Sequence, residues 1–160
     1  MVASGGTSAS SRLLVLRVQS QLCGVPSSHV LETCRPLPTE PFPNAPSFVT
    51  GLSVIRSRAT PVVDGRRLLG RASDAAPHRY VTLKLDAEGR RVLALAVDAV
   101  VGLREVTAQQ LESLPGLLSN NQPLLRALGT LDGELLVLLE HARLLPDSVW
   151  AELERERAST

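Results

Sequence analysis

The stretch FVTGLSVIRSRATPVVDGRRLL, Phe48 to Leu69, reads as strand, tight turn, strand and one helical turn. Gly51 to Ile55 is a short apolar run, Arg56 to Arg58 a polar tip, and Ala59 to Val63 a second apolar run ending at Asp64. Two such runs with so short a polar break between them form a β-hairpin. The hairpin lifts the guanidiniums of Arg56 and Arg58 to the end of an apolar ribbon, where they meet solvent or a partner. Pro61 lacks an N–H, so its strand is expected at a sheet edge or a bulge.

Upstream, Leu13 to Val18 and Leu22 to Pro26 flank the polar turn Gln19-Ser20-Gln21 and make a first hairpin. Ser27 or Ser28 then fits the N-cap of a helical turn carrying Val30 and Leu31, with Glu32 as its capping-box partner. Prolines at 36, 38, 41, 43 and 46 forbid a regular element from Arg35 to Pro46. Their fixed φ angles favour a rigid strap over a loose tether. Residues 1–11, MVASGGTSASS, have neither the basic start nor the apolar core of a secretory signal and read as a flexible tail.

Downstream, the small residues of Gly70 to Pro77 mark the expected boundary between two subdomains, at residues 70–78. Tyr80 to Leu85 alternates polar and apolar, the period of a half-buried strand. Asp86-Ala-Glu-Gly89 supplies a turn, and Arg91 to Val97 returns. Val100 to Val106 extends the sheet. Thr107-Ala-Gln-Gln110 fits a capping box that would open a short helix through Leu114, stopped by Pro115 and Gly116. Leu124 to Leu131 and Glu134 to Leu139 flank Asp132-Gly133, the strongest two-residue hairpin signal in the chain. The final segment, residues 146–160, reads as a helix and tail whose Val149, Trp150 and Leu153 must dock on the body for the helix to persist.

Val62-Val-Asp-Gly-Arg-Arg-Leu-Leu69 is echoed by Leu138-Leu-Glu-His-Ala-Arg-Leu-Leu145 at an offset of 76 residues. Each half also opens on a hairpin. The chain therefore reads as all-β, two related barrel-like subdomains each closed by a helical turn, with Val15, Val25, Leu52, Val62, Leu83, Leu95, Leu136 and Leu138 pointing inward.

Composition narrows the function. With 160 residues, 44% hydrophobic and 21% charged, the chain is globular, and no apolar run is long enough to span a bilayer. A net charge of +1 and only four aromatic residues provide neither the field nor the stacking platforms of a nucleic-acid binder. Cys23 and Cys34 are too few for a disulfide framework and fit a reducing cytoplasm, as packing residues. His29, His78 and His141 are dispersed, without ligand spacing, so no metal is expected. Phosphate loops and nucleophile motifs are absent from the sequence, so no cofactor is expected either. Asp64 and Asp98 each end an apolar strand, as catalytic carboxylates do in parallel α/β enzymes, but they follow hairpins here and read first as caps.

Residues 44–64 also carry a resemblance. Asn44, Ala45, Pro46, Phe48, Gly51, Arg56, Pro61, Val62, Val63 and Asp64 match a segment of the CheW-type chemotaxis coupling proteins, and this chain resembles that family from residue 12 to about 145. Asp98 after Leu95-Ala-Val97, Leu128-Gly129-x-Leu131-Asp-Gly and the turn from Leu139 to Leu145 extend the similarity. Val54 stands where the family usually has Asn, and Ser57 where it has Gly. Without Gly, the tip is expected to adopt a different or strained turn.

The resemblance implies two SH3-like five-stranded β-barrels on a shared apolar core, short connecting helices, and no catalytic activity. It further implies a cytoplasmic adaptor, associated with receptor arrays, that joins a chemoreceptor cytoplasmic tip to the regulatory domain of a CheA-type histidine kinase, with other CheW-like proteins as further candidate partners. The position matching Arg56 lies at the family's receptor groove, and those matching Val30 and Glu32 on a partner-facing surface. Val30, Glu32, Val54, Arg56, Ser57 and Arg58 are accordingly the candidate partner-binding residues. Two alternatives remain. One is an accessory relative, of the kind found in gliding-motility Frz systems, that keeps one partner surface. The other is a small-ligand binder or enzyme using Asp64 and Asp98. The cluster Arg56, Arg58, Arg66, Arg67 and Arg71 reads either as a solvated rim or as a docking patch.

Overall fold

The computed structural model describes residues 10–71, 75–107, 111–113, 125–140 and 144–158. In chain order the elements are β1 (Ser10–Val18), β2 (Gln21–Pro26), a 3-10 turn (Ser27–His29), β3 (Val30–Cys34), β4 (Val49–Ile55), β5 (Arg58–Asp64), α1 (Gly65–Leu68), β6 (Arg79–Lys84), β7 (Val92–Val97), β8 (Ala99–Thr107), β9 (Leu111–Ser113), β10 (Leu125–Leu131), β11 (Glu134–Leu139) and α2 (Asp147–Ala158). They form two SH3-like β subdomains, a six-stranded sheet ordered β9-β10-β11-β2-β1-β8 and a five-stranded sheet ordered β3-β6-β7-β5-β4. The first has one strand more than expected, because β9 adds to β10 from Leu111 opposite Gly129 to Ser113 opposite Ala127.

Both sheets repeat one plan. An edge strand (β3 or β8) flanks an antiparallel hairpin (β6–β7 or β1–β2), which pairs in parallel with one strand of a second hairpin (β5 of β4–β5, or β11 of β10–β11). The parallel ladders run Val62 with Ala94 in one sheet and Leu136 with Leu22 in the other. Each half thus contributes its opening hairpin to the other half's sheet. The boundary expected at residues 70–78 is corrected accordingly: it joins α1 to β6 within one subdomain. The chain changes sheets instead at Ser27–His29 and at Asp98. Periodicity marks where the repeat restarts, while strand pairing decides which sheet receives each hairpin.

Three apolar layers result. Leu13, Val15, Leu22, Val106, Leu136 and Leu138 fill the six-stranded subdomain. Ile55, Val62, Tyr80, Ala94 and Ala96 fill the five-stranded one. Between them, Leu16, Val25, Val63, Leu83, Leu95 and Leu139 belong to a larger shared core that α2 closes with Val149, Trp150 and Leu153. Seven of the eight expected inward residues are buried, while Leu52 is half-buried against the shared core. Arg91 stacks 5.6 Å over the Trp150 ring and bonds Asp147 at 3.0 Å, fastening α2 to the β6–β7 turn.

Several local expectations are corrected. Val30, Leu31 and Glu32 are strand, and the preceding 3-10 turn has no side-chain cap, because β3 finds a ladder with β6. Residues 111–113, expected as helix, are strand for the same reason. The proposed cap at Ala108 to Gln110, the helix stop at Leu114 to Gly116, and His141 to Arg143 lie outside the described residues. β5 is an interior strand despite Pro61, which stands opposite Leu52 just before the parallel ladder begins at Val62. The ladder to β7 thus starts only past the residue that cannot donate. Ser10 and Ser11, assigned to the tail, begin β1 opposite Thr107 and Val106.

The proline strap is ordered as expected. Glu40 bridges Leu52 with both backbone bonds at 2.8 Å, Ser53 Oγ donates to the Pro38 carbonyl at 2.9 Å, and Tyr80 Oη donates to that of Leu37. Gly51 is required there, since a Cβ would lie 2.2 Å from the Glu40 carbonyl oxygen. Among the described residues no helix is long and apolar enough to cross a membrane.

Candidate partner-binding site

The tip of the β4–β5 hairpin is a two-residue turn, with Ile55 paired to Arg58 across it. Arg56 and Ser57 have φ of 53° and 63°, so both central residues are left-handed, as in a type I′ turn. That turn normally takes Asn-Gly or Asp-Gly, because a Cβ in the left-handed region crowds the backbone. The equivalent tip of the other subdomain, Asp132-Gly133 with φ of 52° and 81°, uses the favoured pair. The missing glycine at Ser57 is therefore expressed as strain, in the same turn.

From this tip Arg56 reaches Glu32. Arg56 Nη2 and Nε donate to the Glu32 carboxylate at 2.7 and 3.0 Å, a bidentate pair. Glu32 lies on β3 and Arg56 at the end of β4, the two outer strands of the five-stranded order, so the pair bridges the edges of a sheet curled back on itself. The Arg56 side chain is 82% exposed and that of Glu32 29%, which leaves most of the guanidinium available to a further acceptor. Hydrogen bonding from Arg56 holds the Glu32 carboxyl below its ordinary range. Glu32 is fixed from behind, its backbone N–H donating to Thr82 Oγ1 at 3.1 Å and its carbonyl accepting from the same hydroxyl at 3.2 Å.

A register shift between Val30 and Glu32 turns Leu31 outward, to 51% exposure. Arg58 Nη1 donates to the Gly89 carbonyl at 3.0 Å in the β6–β7 turn. Leu31, Glu32, Ile55, Arg56, Arg58 and Val92 thus line an open groove of about 420 Å³. Of the six candidate residues, Glu32, Arg56 and Arg58 meet in this groove, Ser57 and the exposed Val54 stand at its hairpin, and Val30 packs on the shared core. Leu31 was not singled out from the sequence. No local pattern announces a bulge, and the residues around Leu31 read as a helical turn.

The two carboxylates considered for catalysis are both structural. Asp64 Oδ1 accepts from the Arg66 backbone N–H at 3.0 Å and caps α1. Asp98, at the crossover from β7 to β8, accepts from the Arg66 guanidinium through Nε at 3.2 Å and through Nη2, and from the Gln19 backbone N–H in the β1–β2 turn. Those bonds, Arg66 first, hold the Asp98 carboxyl below its usual range. Asp98 N–H donates to the Arg17 carbonyl at 3.0 Å, and Arg66 Nη1 to that of Ala75 at 2.6 Å. Arg66 is therefore a buried inter-sheet tie and not part of an exposed basic rim. Arg67 is half-exposed and donates to the Ser47 carbonyl. Burial pushes the Cys23 thiol up to about 12, the state of an unreactive core residue. His29 and His78 each face a backbone carbonyl, of Lys84 and Asp98 respectively.

Two SH3-like β subdomains sharing one core, with a charged hairpin tip at an open surface groove, define the class of this fold. The CheW-like domain model matches residues 12–149, and the chain belongs to that family. It is 29% identical over 153 residues to a chemotaxis protein CheW from Rhizobium meliloti, covering 95% of each chain. Over 90 residues, 56% of each chain, it is 34% identical to FrzA from Myxococcus xanthus. The fold matches a crystal structure of the scaffolding protein TtCheW from Thermoanaerobacter tengcongensis with a TM-score of 0.73, at 18% identity over 84% of this chain and 91% of that one.

Proposed function

We propose that this chain is a non-catalytic cytoplasmic adaptor that couples the cytoplasmic tip of a chemoreceptor to the regulatory domain of a CheA-type histidine kinase within a receptor array. The observation that carries it is the Arg56–Glu32 pair: an exposed guanidinium, aligned by a carboxylate from the opposite sheet edge, at a groove that Leu31 and Ile55 also line. Arginine with apolar neighbours is the composition of an interface anchor. Asp64 and Asp98 are engaged by Arg66, which argues against the ligand-binding alternative. Separate titrations of the receptor tip and of the kinase regulatory domain with the parent and Arg56→Ala proteins test the reading. Arg56→Ala should melt close to the parent yet lose about thirtyfold in receptor affinity, the effect of removing a hot-spot side chain. Unchanged affinity for both partners would defeat it.

The accessory reading is favoured by one observation, Val54, which is 71% exposed where the family usually has Asn. An apolar side chain there removes a hydrogen-bonding group from the hairpin flank. Binding to one partner with none to the other in the same titrations selects that reading.

A further inference from the structure

The strap between β3 and β4 reads Arg35-Pro-Leu-Pro-Thr-Glu-Pro-Phe-Pro43. Proline fixes its own φ, and the residue before a proline is confined to extended or polyproline II backbone. Every residue of Arg35 to Pro43 except Thr39 falls under one of those two restrictions. Polyproline II repeats every three residues, and from Leu37 to Pro43 burial follows that period. Thr39 is half-buried and Phe42 buried on one row, whose first member Pro36 is exposed, while Arg35, Pro38 and Pro41 on the second row and Leu37, Glu40 and Pro43 on the third are exposed. The body holds the ribbon through its backbone, at the Leu37 and Pro38 carbonyls and at Glu40. Two adjoining rows are thereby presented outward as a ready-made ridge.

We propose that this ridge is a polyproline ligand for an SH3-type domain on another protein. Leu37-Pro38 and Glu40-Pro41 form two successive x-Pro dipeptides, the unit that an aromatic-lined groove accepts. Arg35 lies on the same row as Pro38 and Pro41, placed to meet an acidic pocket at the end of such a groove. The strap's order reduces the entropy lost on docking. A second copy of this chain does not supply the groove: Phe42, Tyr80 and Trp150 are buried and Phe48 packs on the shared core, so the described residues offer no exposed aromatic surface. The ridge involves neither Arg56 nor Glu32, so it stands or falls separately from the adaptor reading.

The test titrates the full chain with a purified SH3 domain that has an acidic residue beside two aromatic-lined dipeptide pockets, following that domain's tryptophan fluorescence. Saturable binding is expected. Arg35→Glu and Pro38→Ala, each checked for native circular dichroism, should weaken it about tenfold or more. Arg56→Ala should leave it unchanged. Absence of saturation, or equal binding by both strap variants and the parent, overturns the proposal. So does binding by a WW domain run in parallel with none by the SH3 domain.

Discussion

Replacing Asp98 with Asn should test whether the two subdomains are tied at one point. The carboxylate receives the Arg66 guanidinium and the Gln19 N–H, and the two ion-pair side chains are only 10% and 16% exposed. Asn keeps the shape but removes the charge, taking from the Arg66 cation the carboxylate that both Nε and Nη2 engage. Breaking a buried pair from one side costs about 3 to 5 kcal/mol, and the residual exposure puts this one near 3 kcal/mol. For a chain of this length that is a fall in melting temperature of about 6–12 °C. Because the folded Asp98 carboxyl lies below its ordinary range, its contribution is fully present above the unfolded value, about 3.9, and is lost as pH falls below it through the folded value. Urea unfolding of both proteins from pH 7 to pH 3 should show a constant gap at neutral pH that narrows as pH falls below the unfolded value. A gap under 1 kcal/mol at pH 7, or one of equal size at pH 3, would refute the reasoning.

Ser57→Gly should stabilise the fold. Relief of one left-handed residue is worth about 1–2 kcal/mol and the greater freedom of unfolded glycine offsets about 0.5–1, so a small rise in denaturation midpoint is expected and a fall would count against the strained turn. Gly51→Ala places a methyl 2.2 Å from the Glu40 carbonyl oxygen and should dislodge the strap at a cost of about 1–3 kcal/mol. Limited proteolysis should then cut between Arg35 and Pro46, and resistance equal to the parent's would contradict the close approach.

The hairpins were legible because their causes are local. Alternation in Tyr80 to Leu85, the turn residues Asp132-Gly133 and the two apolar runs around Arg56 each determine a strand pair without reference to the rest of the chain, and the prolines at 36 to 46 determine a strap by covalent geometry alone. The 76-residue echo likewise follows from the sequence, and it shows in the matched plan of the two sheets. Tertiary structure decided the remainder. Val30 to Cys34 has caps for a helical turn, yet the ladder offered by β6 outweighs so short a helix. Leu31 faces outward only because β3 slips register against its partner. Glu32 and Arg56, 24 residues apart in the chain, meet because the sheet curls until its first and last strands adjoin. Which hairpin enters which sheet depends on the parallel ladders of Val62 with Ala94 and Leu136 with Leu22, contacts between distant segments that no local pattern encodes.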